Sequence, residues 1–150
     1  MSNERQPSIQ KHLKKNSILD AAAGVFAQYG FKRTTMNDIA AASGVSRPAL
    51  YLLFDNKEHL FKELAAHRVE LALHNAQAEL ETNQVVTVRF VNAIKTFERT
   101  YTEPVANSPH GDELIDVNRN LATDIMSKGR ANLTAALAKV LRNADRSGDV

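Results

Sequence analysis

The chain has 150 residues, of which 43% are hydrophobic and 24% charged, with six Gly, four Pro and no Cys. This composition is typical of a globular chain that can bury a core, and it excludes collagen-like, disulfide-stapled and intrinsically disordered proteins. Zinc fingers and thiol catalysis are excluded because Cys is lacking. No apolar run is long enough to span a membrane, and residues 1–5 lack the apolar segment of a secretory signal, so we expect a cytoplasmic chain without a membrane partner.

The formal net charge of +2 is unevenly distributed along the chain. Up to Arg47 there are seven Lys or Arg and three acidic residues, whereas from Phe61 to Val150 there are eleven basic and twelve acidic residues. A basic N-terminal part on a near-neutral remainder is typical of a segment that meets a polyanion, more often nucleic acid than membrane. A solvated charged terminus is the alternative that this pattern leaves open.

Two helices are predicted in the first part of the chain. Apolar residues recur at helical spacing over about residues 9–29, and Gly30 can adopt the left-handed conformation that ends a helix. Thr35, with Asp38 three residues later, predicts the N-cap and acidic first turn of a second helix. Gly44 ends this second helix after about two turns.

The third predicted helix runs from about Arg47 to Phe54. Ser46 can cap it, and Pro48 lies in the first turn, where its missing N–H costs nothing. Only Ser43, Gly44 and Val45 separate it from the second helix, and Gly44 lets the chain reverse. This is the spacing of a helix-turn-helix, which we place over residues 34–54.

A fourth and a fifth helix follow. Asp55 and Asn56 can cap the fourth, which covers about residues 57–82. The fifth begins near Val86 and is predicted to end at Pro104, before a loop over residues 103–112.

The last third of the chain also has helical periodicity. Apolar stripes over residues 114–125 and 133–144 predict two more helices, joined near Gly129. The alternation typical of strands is absent throughout, so the predicted fold class is all-α.

A set of short motifs between about residues 10 and 65 keeps a fixed order and spacing. It comprises the segments 21–31, 34–40, 42–46 and 57–60, together with Leu50, Tyr51 and Phe54. This set resembles the TetR family of transcriptional regulators. The resemblance implies a three-helix helix-turn-helix head that binds DNA, residues 1–60, and an α-helical body for ligand binding and dimerisation, residues 61–150. It also implies about two further helices after Val150, so we expect the body to be truncated.

The N-terminal residues of the second helix of a helix-turn-helix contact base edges in the major groove. Here they are Ser46, Arg47, Pro48, Ala49 and Tyr51. Arg47 can contact guanine O6 and N7 in a bidentate manner, worth about 1–3 kcal/mol of discrimination, and Pro48 and Ala49 can touch a thymine methyl. We expect Tyr51 to contact a base or a phosphate. A solvated Arg47 and a core-edge Tyr51 are the alternatives.

Phosphate contacts are expected around these residues. Thr34 and Thr35 can offer hydroxyl and backbone N–H groups at a helix N-terminus, although capping alone is the alternative. Lys57 resembles the lysine of the family that contacts phosphate. Leu53 departs from the pattern, because many members carry an aromatic residue or His there. The candidate DNA-binding arm consists of Lys11, Lys14 and Lys15.

The resemblance also implies a small-molecule pocket in the body, and an effector that shifts the fourth helix. The candidate lining residues are His74, Phe90, Ile94, Phe97, Tyr101 and Asn118. His67 and His74 lie seven residues apart on the fourth helix, too far for one metal ion without other ligands, and partly buried structural roles are the alternative. No cofactor, metal or catalytic motif is recognisable, so no enzyme activity is expected.

We therefore expect a homodimeric, ligand-responsive repressor that binds a palindromic operator in double-stranded DNA. Two readings from other classes stay open. One is a helical ligand-binding or protein-interaction module without specific DNA binding, suggested by Leu53 and the low net charge. The other is a small all-α enzyme, suggested only by the expected cavity.

Overall fold

The computed structural model describes residues 5–148, with the side chains of residues 8–148. This part of the chain folds into seven helices without a strand. In chain order they are α1 (Arg5–Tyr29), α2 (Met36–Ser43), α3 (Arg47–Leu53), α4 (Lys57–Leu80), α5 (Val86–Ala106), α6 (Gly111–Leu121) and α7 (Thr123–Ser147). The all-α prediction is confirmed. Residues 1–4, which the expectation about a secretory signal involves, and the last two residues lie outside the described part. None of the described helices is long and apolar enough to cross a membrane.

Side-chain caps set the starts of α2, α3 and α4. Thr35 Oγ1 accepts a hydrogen bond from the Asp38 N–H at 3.1 Å, and the Asp38 carboxylate accepts one from the Thr35 N–H at 2.9 Å. Ser46 and Asn56 each accept the N–H three residues further on. The three helices thus begin at the positions that the capping pattern predicts.

The turn between α2 and α3 depends on Gly44. Its φ of 69° lies in the left-handed region, where a side chain would strain the backbone. Val45 follows with its N–H donated to the carbonyl of Ala40 at 3.1 Å, and its side chain packs against the neighbouring core. This turn fixes α3 relative to α2.

The first core joins α1, α2, α3 and the N-terminal part of α4. Phe26, Phe31 and Phe61 pack ring against ring, with centroids 5.4 to 5.7 Å apart. Leu114 of α6 also lies in this core. The head is therefore packed directly against one helix of the body.

The second core is built from the C-terminal part of α4 with α5 and α7. Val69 and Ala72 of α4 are buried against Phe97 of α5 and Met126 of α7. Helix α4 thus contributes to both cores, with its first half in one and its second half in the other.

Two predicted helix ends are wrong. Helix α5 continues through Pro104 to Ala106, so the predicted loop over residues 103–112 shrinks to residues 107–110. Because Pro104 lies in the last turn, its missing N–H leaves only the carbonyl of Thr100 without its helical donor. The last two helices meet at Ala122, and Gly129, the predicted junction, is buried inside α7.

We predict opposite effects for alanine at two helical glycines. A Cβ added at Gly129 would lie 2.4 Å from Val69 Cγ1, whereas one at Gly24 in α1 would meet nothing within 4 Å. Gly129→Ala should lower the free energy of unfolding by about 1–3 kcal/mol through overpacking. Gly24→Ala should raise it by about 0.5–1 kcal/mol through helix propensity. Urea denaturation of both variants checks this, and equal stability of the two would contradict close α4–α7 packing.

Candidate nucleic-acid interface and ligand cavity

Helix α3 presents a polar and basic face outward because its apolar residues are buried on the opposite side. Leu50 is fully buried against α1 and α2 in the first core. Ser46, Arg47 and Pro48 are exposed, and Tyr51 is 40% exposed. Ala49 is partly buried. The residues predicted to contact bases therefore lie together at the start of α3, four of them accessible from outside.

Arg47 and Tyr51 form a pair on this face. The Arg47 guanidinium carbon lies 5.6 Å from the Tyr51 ring centroid, which is within the range of a cation–π contact. One helical turn separates the two residues, so the contact arises within α3. It orders a guanidinium, which can donate two parallel hydrogen bonds to a guanine edge or a phosphate.

The two threonines before α2 have different environments. Thr34 is buried, and its hydroxyl donates to the Gly30 carbonyl at 2.6 Å. The hydroxyl contact with a phosphate expected for Thr34 is therefore not available in this structure, because its proton is used inside the head. Thr35 is exposed, but its Oγ1 and N–H both serve the capping box with Asp38.

Lys57 lies at the start of α4, as predicted, and binds the turn between α1 and α2. Its Nζ donates to the carbonyl of Phe31 at 2.6 Å and to that of Lys32 at 3.4 Å, and it lies 4.3 Å from the Phe31 ring centroid. An ammonium group has three donors, so one is left for a phosphate. The phosphate contact stays a prediction.

The three candidate arm lysines all lie on α1. Lys11 and Lys14 are exposed, whereas Lys15 forms an ion pair of 3.2 Å with Glu63 of α4 and lies 5.4 Å from the Phe54 ring centroid. Lys15 thus links α1 to α4. Leu53, where the family pattern has an aromatic residue or His, packs against the first core.

A cavity of about 580 Å³ lies between α1, α4, α5, α6 and α7. Tyr101 and Asn118, both predicted pocket residues, line it. The Tyr101 hydroxyl donates to Asn118 Oδ1 at 2.5 Å. Burial raises the pKa of Tyr101, opposed by the hydrogen bond with Asn118 and the positive charge of Arg130. The hydroxyl is therefore protonated at neutral pH and acts as a donor.

The other four predicted pocket residues do not line this cavity. Phe97 is fully buried in the second core, Phe90 packs against that core, Ile94 is 45% exposed and His74 is exposed. The reason is the position of the cavity, which reaches α5 only from Tyr101 to Ala106. The helical stripe that predicted the lining instead serves partly the α4–α5 contact.

His67 lies on the face of α4 that meets α1. Its Nε2 is 3.3 Å from Asp20 Oδ1, so the partly buried structural role is the one observed. Within residues 5–148, no group of three or more His, Asp or Glu side chains is arranged to hold a metal ion.

The sequence gave no sign of the contacts that join the head to the body. The Lys32 N–H donates to Glu113 Oε1 at 2.8 Å, and the Ser108 hydroxyl donates to the Ala27 carbonyl at 2.6 Å. Each contact spans 81 residues along the chain. Such pairs carry no local signal in a single sequence. They fasten the start of α6 and the loop before it to the end of α1 and the turn that follows.

Comparison with known proteins supports the interpretation of the head. Residues 18–64 match the family model "Bacterial regulatory proteins, tetR family". A probable acrEF/envCD operon repressor of Escherichia coli K12 is 44% identical over 50 residues, which are 33% of this chain and 23% of that protein. The matched segment thus spans about a quarter of that relative's length.

Two similarities extend beyond the head. An uncharacterized HTH-type transcriptional regulator of Mycobacterium bovis is 26% identical over 156 aligned residues, covering all of this chain and 73% of that protein. The crystal structure of a TetR family transcription regulator from Marinobacter aquaeolei VT8 has a TM-score of 0.66 at 18% identity. That match covers 94% of this chain and 73% of the other. It establishes a common fold for head and body.

The capping box predicts a pH-dependent stability of the head. Hydrogen bonds from the Thr35 backbone N–H, then from its hydroxyl, lower the pKa of Asp38 below the ordinary value of 3.8. Ionised Asp38 therefore stabilises the folded chain above that value, and the stabilisation is lost as the pH falls through the lower pKa of the folded state. Asp38→Ala should reduce the free energy of unfolding at neutral pH and progressively less in acid.

Urea denaturation over a series of pH values measures this difference. Asp145→Ala, which removes an exposed carboxylate near the end of α7, is the control for the loss of a charge. A difference between the wild type and Asp38→Ala that does not change with pH would contradict the contribution of the ionised cap.

Proposed function

We propose that this chain, a member of the TetR family, is a DNA-binding transcriptional repressor that binds a palindromic operator as a homodimer and is released by a small-molecule effector. Residues 1–60 are the DNA-binding head and residues 61–150 the regulatory body. The family is a group of transcriptional regulators rather than enzymes. The chain acts in the cytoplasm, where a bacterial operator is accessible.

The proposal rests on the outward face of α3. Arg47 and Tyr51 lie together on that face, at the beginning of the second helix of a helix-turn-helix. This is the element that enters the major groove in proteins with this motif. Arg47 reads a guanine edge there, and the exposed Ser46 and Pro48 lie beside it.

Two copies of α3 are needed to read a palindrome. In a dimer they lie about one turn of DNA apart, roughly 34–36 Å, each in a major groove. Thr35, Lys57 and the exposed Lys11 and Lys14 contribute phosphate contacts, which set position but not sequence. Because phosphate contacts dominate affinity, binding weakens steeply as salt rises.

The effector acts through the contacts between head and body. The cavity borders α1, α4 and α6, and Glu113 at the start of α6 binds the turn that leads into α2. An effector that prefers a different placement of these helices shifts the population away from the DNA-binding state. A coupling of about 1–3 kcal/mol is typical of such shifts.

Removal of one base-reading side chain tests the proposal. Arg47→Ala should weaken binding to DNA from the chain's own promoter region by about tenfold to a hundredfold, the cost of losing a bidentate guanine contact. Fluorescence anisotropy with labelled DNA measures the affinity, and circular dichroism checks the helix content. The matched control is Arg142→Ala, which removes an exposed arginine from α7, far along the chain from the head.

The control variant should bind as the wild type does, and both should lose affinity as salt is raised. Wild-type binding to its promoter region that is no tighter than binding to random DNA at moderate salt would overturn the specific repressor. Equal losses for Arg47→Ala and Arg142→Ala would show instead that only the total charge matters.

A further inference from the structure

The cavity has an unbalanced charge. Three arginines line it, Arg68 from α4, Arg119 from α6 and Arg130 from α7, whereas none of its lining residues is Asp, Glu or His. Much of the remaining wall is apolar, and the described chain has no acid in it to neutralise these guanidinium groups. A neutral or cationic ligand would leave that charge uncompensated.

Each arginine is poorly paired within the protein. Arg68 is partly buried, and among the side chains that the structure describes it has no ion-pair partner. Arg130 Nε lies 3.7 Å from Glu98, and Arg119 Nη1 lies 3.8 Å from Asp116. Both contacts are long and exposed to solvent, and such pairs contribute little. The three guanidinium groups are therefore available to an anion.

Helical spacing brings the polar lining to one side of each contributing helix. On α6, Ile115, Asn118 and Arg119 are three and four residues apart, and on α7 Ser127 and Arg130 are three apart. Asn118 accepts the Tyr101 hydroxyl through Oδ1, so its amide N–H groups remain as donors. The polar groups of this wall are donors suited to an anion.

The opposite part of the lining is apolar. Phe26, Phe61, Leu64 and Leu114, which belong to the first core, contribute to it together with Met126. A cavity of about 580 Å³ lies within the usual size of ligand pockets, which combine apolar walls with a few oriented polar groups. An apolar chain fits these walls, and an anionic group fits the arginines.

We propose that the cavity binds an apolar molecule that carries one anionic head group, a carboxylate or a phosphate, held by Arg68, Arg119 and Arg130. The inference rests on the proposed function in one respect, since it names the class of effector. The binding itself requires no DNA. A guanidinium group binds either head group through paired hydrogen bonds.

Calorimetric titration of the full chain, without DNA, tests the ligand class. Decanoate and decyl phosphate are the anionic probes, decan-1-ol is the uncharged match and decyltrimethylammonium the cationic one. We expect one or both anions to bind at least about tenfold more tightly than the alcohol, the value of one charge-assisted hydrogen bond. The anion that binds identifies the head group. Equal affinity for the alcohol, tighter binding of the cation or no binding by either anion would overturn the proposal.

Arginine variants locate the site. Arg68→Met and Arg130→Met keep much of the side-chain length without the charge, and each should weaken anion binding about tenfold with little effect on the alcohol. Arg130 is largely exposed, so its variant remains informative if Arg68→Met fails to fold. Arg142→Met, on the same helix but outside the cavity lining, should bind as the wild type does. Equal losses for all three would overturn the assignment to this cavity.

A separate measurement distinguishes the two proposals. The anion that binds is added to the complex with promoter DNA, and release is followed by anisotropy. Anion binding without DNA release supports the ligand class and overturns its effector role. Failure of the chain to bind DNA leaves the titration as the independent test.

Discussion

Burial of two successive apolar surfaces along α4 is the constraint on which the rest of the structure depends. The first half of this helix is covered by α1, α2 and α3, and the second half by α5 and α7. A helix of 24 residues rises about 36 Å, so it carries packing from one end of the chain's fold to the other. Neither core can form without it. A change in how α7 lies on α4 therefore alters the surface against which the head packs.

The residues at these contacts determine how closely the helices approach. Gly129 lets α7 lie directly on Val69 of α4, since a Cβ there would overlap the valine. At the other end, aromatic packing of Phe26 and Phe61 fixes α1 against α4. Close-packed interfaces of this kind shift between discrete arrangements rather than deform gradually. This property makes a ligand cavity beside α4 an effective control point for the proposed regulator.

Charge is divided between two surfaces of the molecule. On α3, Arg47 faces outward beside Tyr51, where a nucleic acid can reach it. In the body, three arginines face a cavity with apolar walls. The weakly paired Arg119 and Arg130 and the unpaired Arg68 explain why a body with a near-neutral balance of charge can still favour an anionic ligand. Net charge over a segment conceals how its side chains are grouped in space.

The sequence by itself determined the local features of the head. Thr35, Ser46 and Asn56 fixed the starts of three helices because capping involves groups only two or three residues apart, and Gly44 fixed the turn because of its backbone conformation. The outward face of α3 also followed from the sequence, since helical spacing separates Leu50 from Arg47 and Tyr51.

Only the tertiary structure decided where helices stop under weak local signals and which residues share a cavity. Pro104 costs one hydrogen bond in a last turn, and a buried Gly129 serves close packing, so neither ends its helix. Thr34 turned inward, and Tyr101 and Asn118 reached the cavity while Phe97 entered the core. Residues separated by 81 positions, such as Lys32 and Glu113, meet because the body folds back onto the head. Periodicity identifies the buried side of a helix, but the packing partner determines whether that side meets a core or a cavity.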